Sequence, residues 1–244
     1  MQRYFIKLAY NGSNYHGWQM QENAHTVQSE ITNKLSLLLH SEIGIVGCGR
    51  TDTGVHAREF YAHFEISDLK FKERDLIYKL NNFLPNDIVI YDIYKVAPDF
   101  HSRFNAISRT YRYYISLTKN PFKEDTSYYH VGSLNVDAMN MACLYLFEYI
   151  DFTSFSKLHT QTATNNCTIQ LAQFNIVKDE IIFTIKADRF LRNMVRAIVG
   201  TLLEIGKGKM KPDYIKAIIE AKDRSKAGYS VPAQGLFLEK VVYP

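Results

Sequence analysis

The chain has 244 residues, 46% of them hydrophobic, enough for one large domain or two small ones. Its net charge is only +4 and its pI near 8.8, so an anionic partner is favoured only where the positive charge clusters. Three distant cysteines, Cys48, Cys143 and Cys167, have neither metal nor redox spacing, which excludes a disulfide framework and fits a reduced, cytoplasmic setting.

Met1-Gln2-Arg3-Tyr4 does not lead into a long apolar core, so no signal peptide is expected. The best apolar run, 198–205, is interrupted by Gly200 and Glu204 and is too short to span a bilayer. Residues 4–10 alternate and predict a strand. Residues 11–23 form a polar loop with Gly12, Gly17 and the only tryptophan, Trp18, expected as a plug over the core. Thr26 caps an expected helix whose apolar face is Val27, Ile31, Leu35, Leu38 and Leu39. An apolar run at 43–46 enters a glycine-rich stretch, Gly47-Cys48-Gly49-Arg50-Thr51-Asp52-Thr53-Gly54-Val55-His56-Ala57. The alternating Phe60, Ala62, Phe64 and Ile66 leave it. Glycine permits unusual backbone angles and close approach, so this loop presents Arg50 and Asp52 at the ends of two strands. Locally, Asp52 reads either as a turn former or as a reacting group. A helix over 73–82 and a strand over 88–96 complete the order strand, helix, strand, strand, helix, strand, the split pattern of ferredoxin-like units.

A similar order follows. A tyrosine-rich strand is expected over 110–117 and a helix over 136–149 with Met139, Cys143, Leu146 and Phe147 inward. Residues 168–177 and 181–187 predict a hairpin. A long helix over 190–205 turns Met194, Ile198, Leu202 and Ile205 inward, a further helix covers 213–221 after Pro212, and a strand covers 236–242. The fold class is therefore α+β, with two related halves, 1–105 and 106–244, joined near 103–109 and sharing one sheet.

Positive charge gathers in the second half. Arg103, Arg109 and Arg112 bracket its start, with Tyr111, Tyr113 and Tyr114 interleaved. Lys186, Arg189, Arg192 and Arg196 open the long helix, and the last three share one face if the helix is continuous. Lys207, Lys209, Lys211, Lys222, Arg224 and Lys226 follow. Any single cluster reads as a solvated face; several with tyrosines among them favour nucleic acid, whose phosphates and bases match charge and flat rings. The eight histidines show no metal-ligand pattern, and no phosphate-loop or dinucleotide signature is present.

Taken in order, several motifs resemble the tRNA pseudouridine synthase A family from end to end. They are Gly49-Arg50-Thr51-Asp52 with Gly54-Val55-His56-Ala57, Tyr15-His16-Gly17-Trp18-Gln19, and Phe100-His101-Ser102-Arg103-Phe104. They continue with Tyr111-Arg112-Tyr113, Phe152-Thr153-Ser154-Phe155, Phe190-Leu191-Arg192-Asn193-Met194-Val195-Arg196 before Ile198-Val199-Gly200, and Gly235-Leu236. The resemblance implies a pseudouridine synthase fold: two ferredoxin-like α/β halves sharing a mainly antiparallel sheet, with a central active-site cleft. It implies a homodimer acting on tRNA, isomerising uridine to pseudouridine at positions 38, 39 and 40 of the anticodon stem-loop, with no cofactor, metal or membrane. By position, Asp52 matches the catalytic aspartate and Tyr111 the tyrosine that stacks on the target base. Arg196 matches the arginine paired with the aspartate, Leu236 the apolar wall, and Arg50 the residue filling the space left by the extracted base. Arg103, Arg112 and Arg192 are expected as further RNA contacts. The chain departs from the family pattern at Asn11, at Thr53, and around Asn166-Cys167-Thr168-Ile169, which lacks an arginine often found there.

Pseudouridine formation breaks the bond from C1′ to N1, turns the base and joins C5 to C1′, with no net gain or loss of atoms. Such chemistry suits a carboxylate kept charged in a closed pocket by a guanidinium. Two other classes remain open: a tRNA-binding protein without catalysis, and a nucleoside glycosidase.

Overall fold

The computed structural model describes residues 1–157 and 164–244. The chain divides into two compact units: residues 1–107 with the C-terminal Leu238–Pro244, and Ser108–Phe237.

In the first unit, β1 (Gln2–Tyr10), α1 (Val27–Leu39), β2 (Ile45–Gly47), β3 (His56–Ile66), α2 (Glu73–Phe83) and β4 (Ile88–Val96) follow in that order. Strand β1 lies antiparallel between β3 and β4; Tyr4, Phe5 and Ile6 are buried in succession, and burial then alternates through Leu8 and Tyr10. Strand β2 pairs antiparallel with β3. The Leu238–Val242 part of β9 (Leu236–Val242) adds to the other side of β3. There Arg58 meets Glu239 at 3.3 Å, and the Val241 amide donates to Glu59 at 3.1 Å.

Helix α1 starts where Thr26 predicts. The Thr26 hydroxyl accepts the Ser29 amide and the Ser29 hydroxyl accepts the Thr26 amide, both at 3.2 Å, a reciprocal cap. Val27, Ile31, Leu35 and Leu39, four apart, are buried; Leu37 points out. Trp18 is the expected plug, 1% exposed and stacked on Phe60 with centroids 4.1 Å apart.

In the second unit, β5 (Ser108–Ser116), β6 (Tyr128–Tyr129), α3 (Val136–Tyr145), β7 (Ile169–Val177), β8 (Glu180–Ala187), α4 (Met194–Gly206) and α5 (Tyr214–Glu220) follow. Strand β8 pairs antiparallel with both β5 and β7; β6 pairs parallel with β5. The β7–β8 turn places Lys178 at φ +57°. Helix α4 is buried along most of its length, as its apolar sequence demands.

Two expectations about helices need correction. Helix α3 ends at Tyr145 and tightens into a 3-10 turn over Leu146–Glu148. The tighter winding leaves Leu146 buried but turns Phe147 outward. Helix α4 begins at Met194, not four residues earlier, because Asn193 adopts φ +67° and breaks the helical path. Arg189 and Arg192 therefore precede the helix and share no helix face with Arg196. Among the described residues, no helix is long and apolar enough to cross a membrane, and no group of three or more His, Cys, Asp or Glu could hold a metal ion.

Candidate active site

The loop carrying Asp52 runs from the end of β2 to the start of β3. Its backbone is shaped by its neighbours, and glycine is needed where they crowd it. Gly17 has φ +87°, and a Cβ there would sit 2.4 Å from the Thr51 carbonyl oxygen. A Cβ on Gly47 would sit 2.5 Å from the Trp18 indole nitrogen. Trp18 therefore braces the loop as well as the core. The Thr51 hydroxyl lies 2.8 Å from the buried Tyr10 hydroxyl, and the Trp18 amide donates to the Thr51 carbonyl at 3.3 Å. The Asp52 carbonyl accepts the Val55 amide at 3.1 Å, closing a turn that Gly54 leaves with φ +77°. Within this frame Asp52 is half-buried and Arg50 exposed. Arg50 Nε donates to Gln19 at 3.2 Å, Gln19 donates to Gln28 at 2.9 Å, and Gln28 donates to the Ile45 carbonyl at 2.8 Å. This relay ties the arginine to α1 and β2. Gln28 carried no sequence signal of its own, since a glutamine on a helix reads as solvated.

Arg103 lies on a turn of the same unit. Ser102 is buried; its hydroxyl donates to the Val46 carbonyl at 2.8 Å and lies 2.8 Å from His63 Nδ1. The Tyr243 hydroxyl donates to the Ser102 carbonyl at 2.6 Å, so the C-terminal segment helps hold the turn. Arg103 itself is exposed. Burial pushes the His63 imidazole down to about 4, with the nearby His101 and Arg3 adding to the shift and Glu65 opposing it. The unfolded chain takes up this proton near pH 6.5, before the folded one. The stability this histidine contributes is therefore complete above about pH 6.5 and lost as pH falls toward 4. Urea unfolding across that window is expected to show wild-type stability falling more steeply than that of His63→Gln, by at most about 1.4 kcal/mol per pH unit.

In the second unit, Tyr111 sits on β5 opposite Ile185 of β8, half-buried, with Phe190 edge-on at 5.2 Å. Arg112, next on the strand, is exposed, as is Arg192. Arg196 is part-buried on the first turn of α4, where Nε donates to the Val231 carbonyl at 2.7 Å. The Val231 amide returns a bond to the Arg196 carbonyl at 3.2 Å. Asn193 donates to Ser230 at 2.7 Å, Arg224 donates to Ser230 at 2.9 Å and to the Gly228 carbonyl at 3.0 Å. The Gly228 amide donates to Thr201 at 2.8 Å, and the Tyr113 hydroxyl donates to the Pro232 carbonyl at 2.9 Å. The segment 228–232 is thus fastened along its length and leads into Gly235 and the buried Leu236. The fold brings Arg196 and the approach to Leu236 together through this segment.

Comparison with known proteins decides the family. A protein from Parabacteroides distasonis named tRNA pseudouridine synthase A is 55% identical over the whole of this chain and 97% of its own length. The chain belongs to the tRNA pseudouridine synthase A family. A relative of the same name from Bacteroides thetaiotaomicron is 51% identical over all of this chain and 91% of its own length. One from Clostridium acetobutylicum is 43% identical over 98% of both. A family model described as tRNA pseudouridine synthase matches residues 149–244. That stretch contains the Asn193–Arg196 clamp and Leu236.

Sequence read Arg224 and Tyr113 only as parts of basic and tyrosine clusters that favour nucleic acid, whereas both hold the segment 228–232; Ser230 and Gly228 carried no sequence signal. Asn193 offered the clearest hint, because asparagine tolerates positive φ better than other non-glycine residues. The lysines after α4 are partly spoken for: Lys207 and Lys209 meet Glu204 at 2.9 and 2.8 Å.

Proposed function

We propose that the protein isomerises uridine to pseudouridine in tRNA, with Asp52 as the nucleophile and no cofactor. The observation that carries this is end-to-end similarity to proteins named tRNA pseudouridine synthase A. The residue types at the matching positions support it. Asp52 attacks the target nucleotide while the C1′–N1 bond breaks. The base turns, C5 bonds to C1′, the bond to Asp52 breaks and frees the carboxylate, and the C5 proton leaves as N1 gains one. Arg196 offsets the carboxylate charge, and its Val231 bond pre-sets the guanidinium plane. Tyr111 stacks on the base, with Leu236 as the apolar wall. Arg50 takes the gap in the RNA stack, which repays part of the few kcal/mol that base extraction costs. Arg103, Arg112 and Arg192 contact the phosphates. The targets are uridines 38 to 40 of the anticodon stem-loop, and the working form is a cytoplasmic homodimer.

We further infer ferredoxin-like halves. In the first, the order β-α-β-β-α-β and the pairing β4-β1-β3-β2 support this; in the second, β5-β8-β7 repeats the last three places of that pairing.

Tritium release from tRNA labelled at uridine C5 tests the activity. Release without free uracil is expected. Binding with no release, or uracil in solution, would count instead for a binding protein or a glycosidase.

A further inference from the structure

Phe104 is 74% exposed. A lone exposed phenylalanine needs no explanation. This one differs in how firmly it is supported. Its ring lies against the His101 imidazole with centroids 4.3 Å apart. His101 meets the buried His63 edge-on at 4.7 Å, and His63 stacks on Phe5 at 6.1 Å. A column of rings therefore runs from the core to solvent, with Phe104 at its outer end. The backbone beneath it is equally fixed. His101 Nδ1 accepts the amides of Arg103 and Phe104 at 3.0 and 3.4 Å. Asn105 accepts the His101 amide at 2.7 Å, and the Asn105 amide donates to the His101 carbonyl at 3.1 Å. The Arg103 guanidinium carbon lies 5.6 Å from the Phe104 ring centre.

We propose that Phe104 and Arg103 form a stacking subsite for a nucleotide of the RNA other than the one that reacts. This rests on the reading of tRNA as substrate. A pre-ordered aromatic face beside a cation suits a base stacked on the ring-and-guanidinium pair, with its phosphate near the guanidinium. The ring is already immobilised by its histidine support, so binding costs little further ordering. The turn around it is polar, with His101, Arg103 and Asn105, which suits a hydrated polyanion better than the apolar centre of a protein interface.

Direct tRNA binding by the full-length protein separates this subsite from the catalytic reading. Phe104→Ala is expected to raise the tRNA dissociation constant roughly 5- to 100-fold, with the loss carried by KM rather than kcat. Phe104→Trp is expected to keep wild-type affinity and to add an emission that tRNA quenches, over a background from the buried Trp18. Arg103→Ala is expected to flatten the salt dependence of binding by about one unit of slope. An alanine variant within twofold of wild type, or tryptophan emission unmoved by saturating tRNA, would overturn the subsite. So would an alanine variant that changes sedimentation but not RNA affinity, which points to a protein partner. Wild-type binding without tritium release defeats the isomerase reading alone; normal release with an unaffected Phe104→Ala defeats the subsite alone.

Discussion

Asp52→Ala is expected to reduce tritium release from C5-labelled tRNA by at least about a thousandfold, while tRNA affinity and melting temperature stay close to wild type. Removing a group that acts covalently costs most of the rate, because no neighbouring residue supplies the same bond. The loop should survive the change. Its shape comes from the Thr51–Tyr10 hydroxyl contact, the approach of Gly17 to the Thr51 carbonyl, and the Val55 amide bond to the residue 52 carbonyl. All of these are kept by alanine. Normal release by a folded Asp52→Ala protein would remove the carboxylate from the mechanism, whatever the family resemblance.

Gly200→Ala is expected to cause the largest loss of stability of any single methyl added to this chain's helices. A Cβ at Gly200 would stand 1.8 Å from the Tyr229 carbonyl oxygen, and Gly228 approaches Thr201 from the other side, where its own Cβ would be 2.6 Å from the Thr201 amide nitrogen. Both obstructions are backbone, so no side-chain rotation relieves them. Either α4 or the segment 228–232 must move, at roughly 3 kcal/mol or more. For a chain of this size that lowers the melting temperature by about 6–12 °C. Because the same segment holds Arg196 through Val231, kcat should fall as well. Gly44→Ala is the control: nothing lies within 4 Å of a Cβ there, and its stability should change little. A melting temperature for Gly200→Ala equal to that control would show that the close approach of helix and segment is dispensable.

The sequence carried some of this and not the rest. Periodicity placed α1 and its buried positions, because a helix that buries one face must repeat its apolar residues every three or four places. The Thr26 cap was legible because its partners lie within one turn. Trp18 was legible as a plug, but not as the brace of the Asp52 loop, since its contact with Gly47 depends on residues far apart in sequence. The start of α4 was misread because the apolar spacing extends back to Phe190 and Leu191 while Asn193 breaks the backbone path.

By itself the sequence determined most of the element order (though not β6), the buried face of α1 and the short motifs that mark the family, because each is written in local spacing. Only the tertiary structure decided that Asn193, Arg196, Thr201 and Arg224 fasten the segment 228–232, that Leu238–Pro244 packs with the first unit, and that His101 supports Phe104. Such contacts join residues that are remote in sequence or set by a particular backbone turn. No local repeat encodes them, and they exist only once the chain has closed on itself.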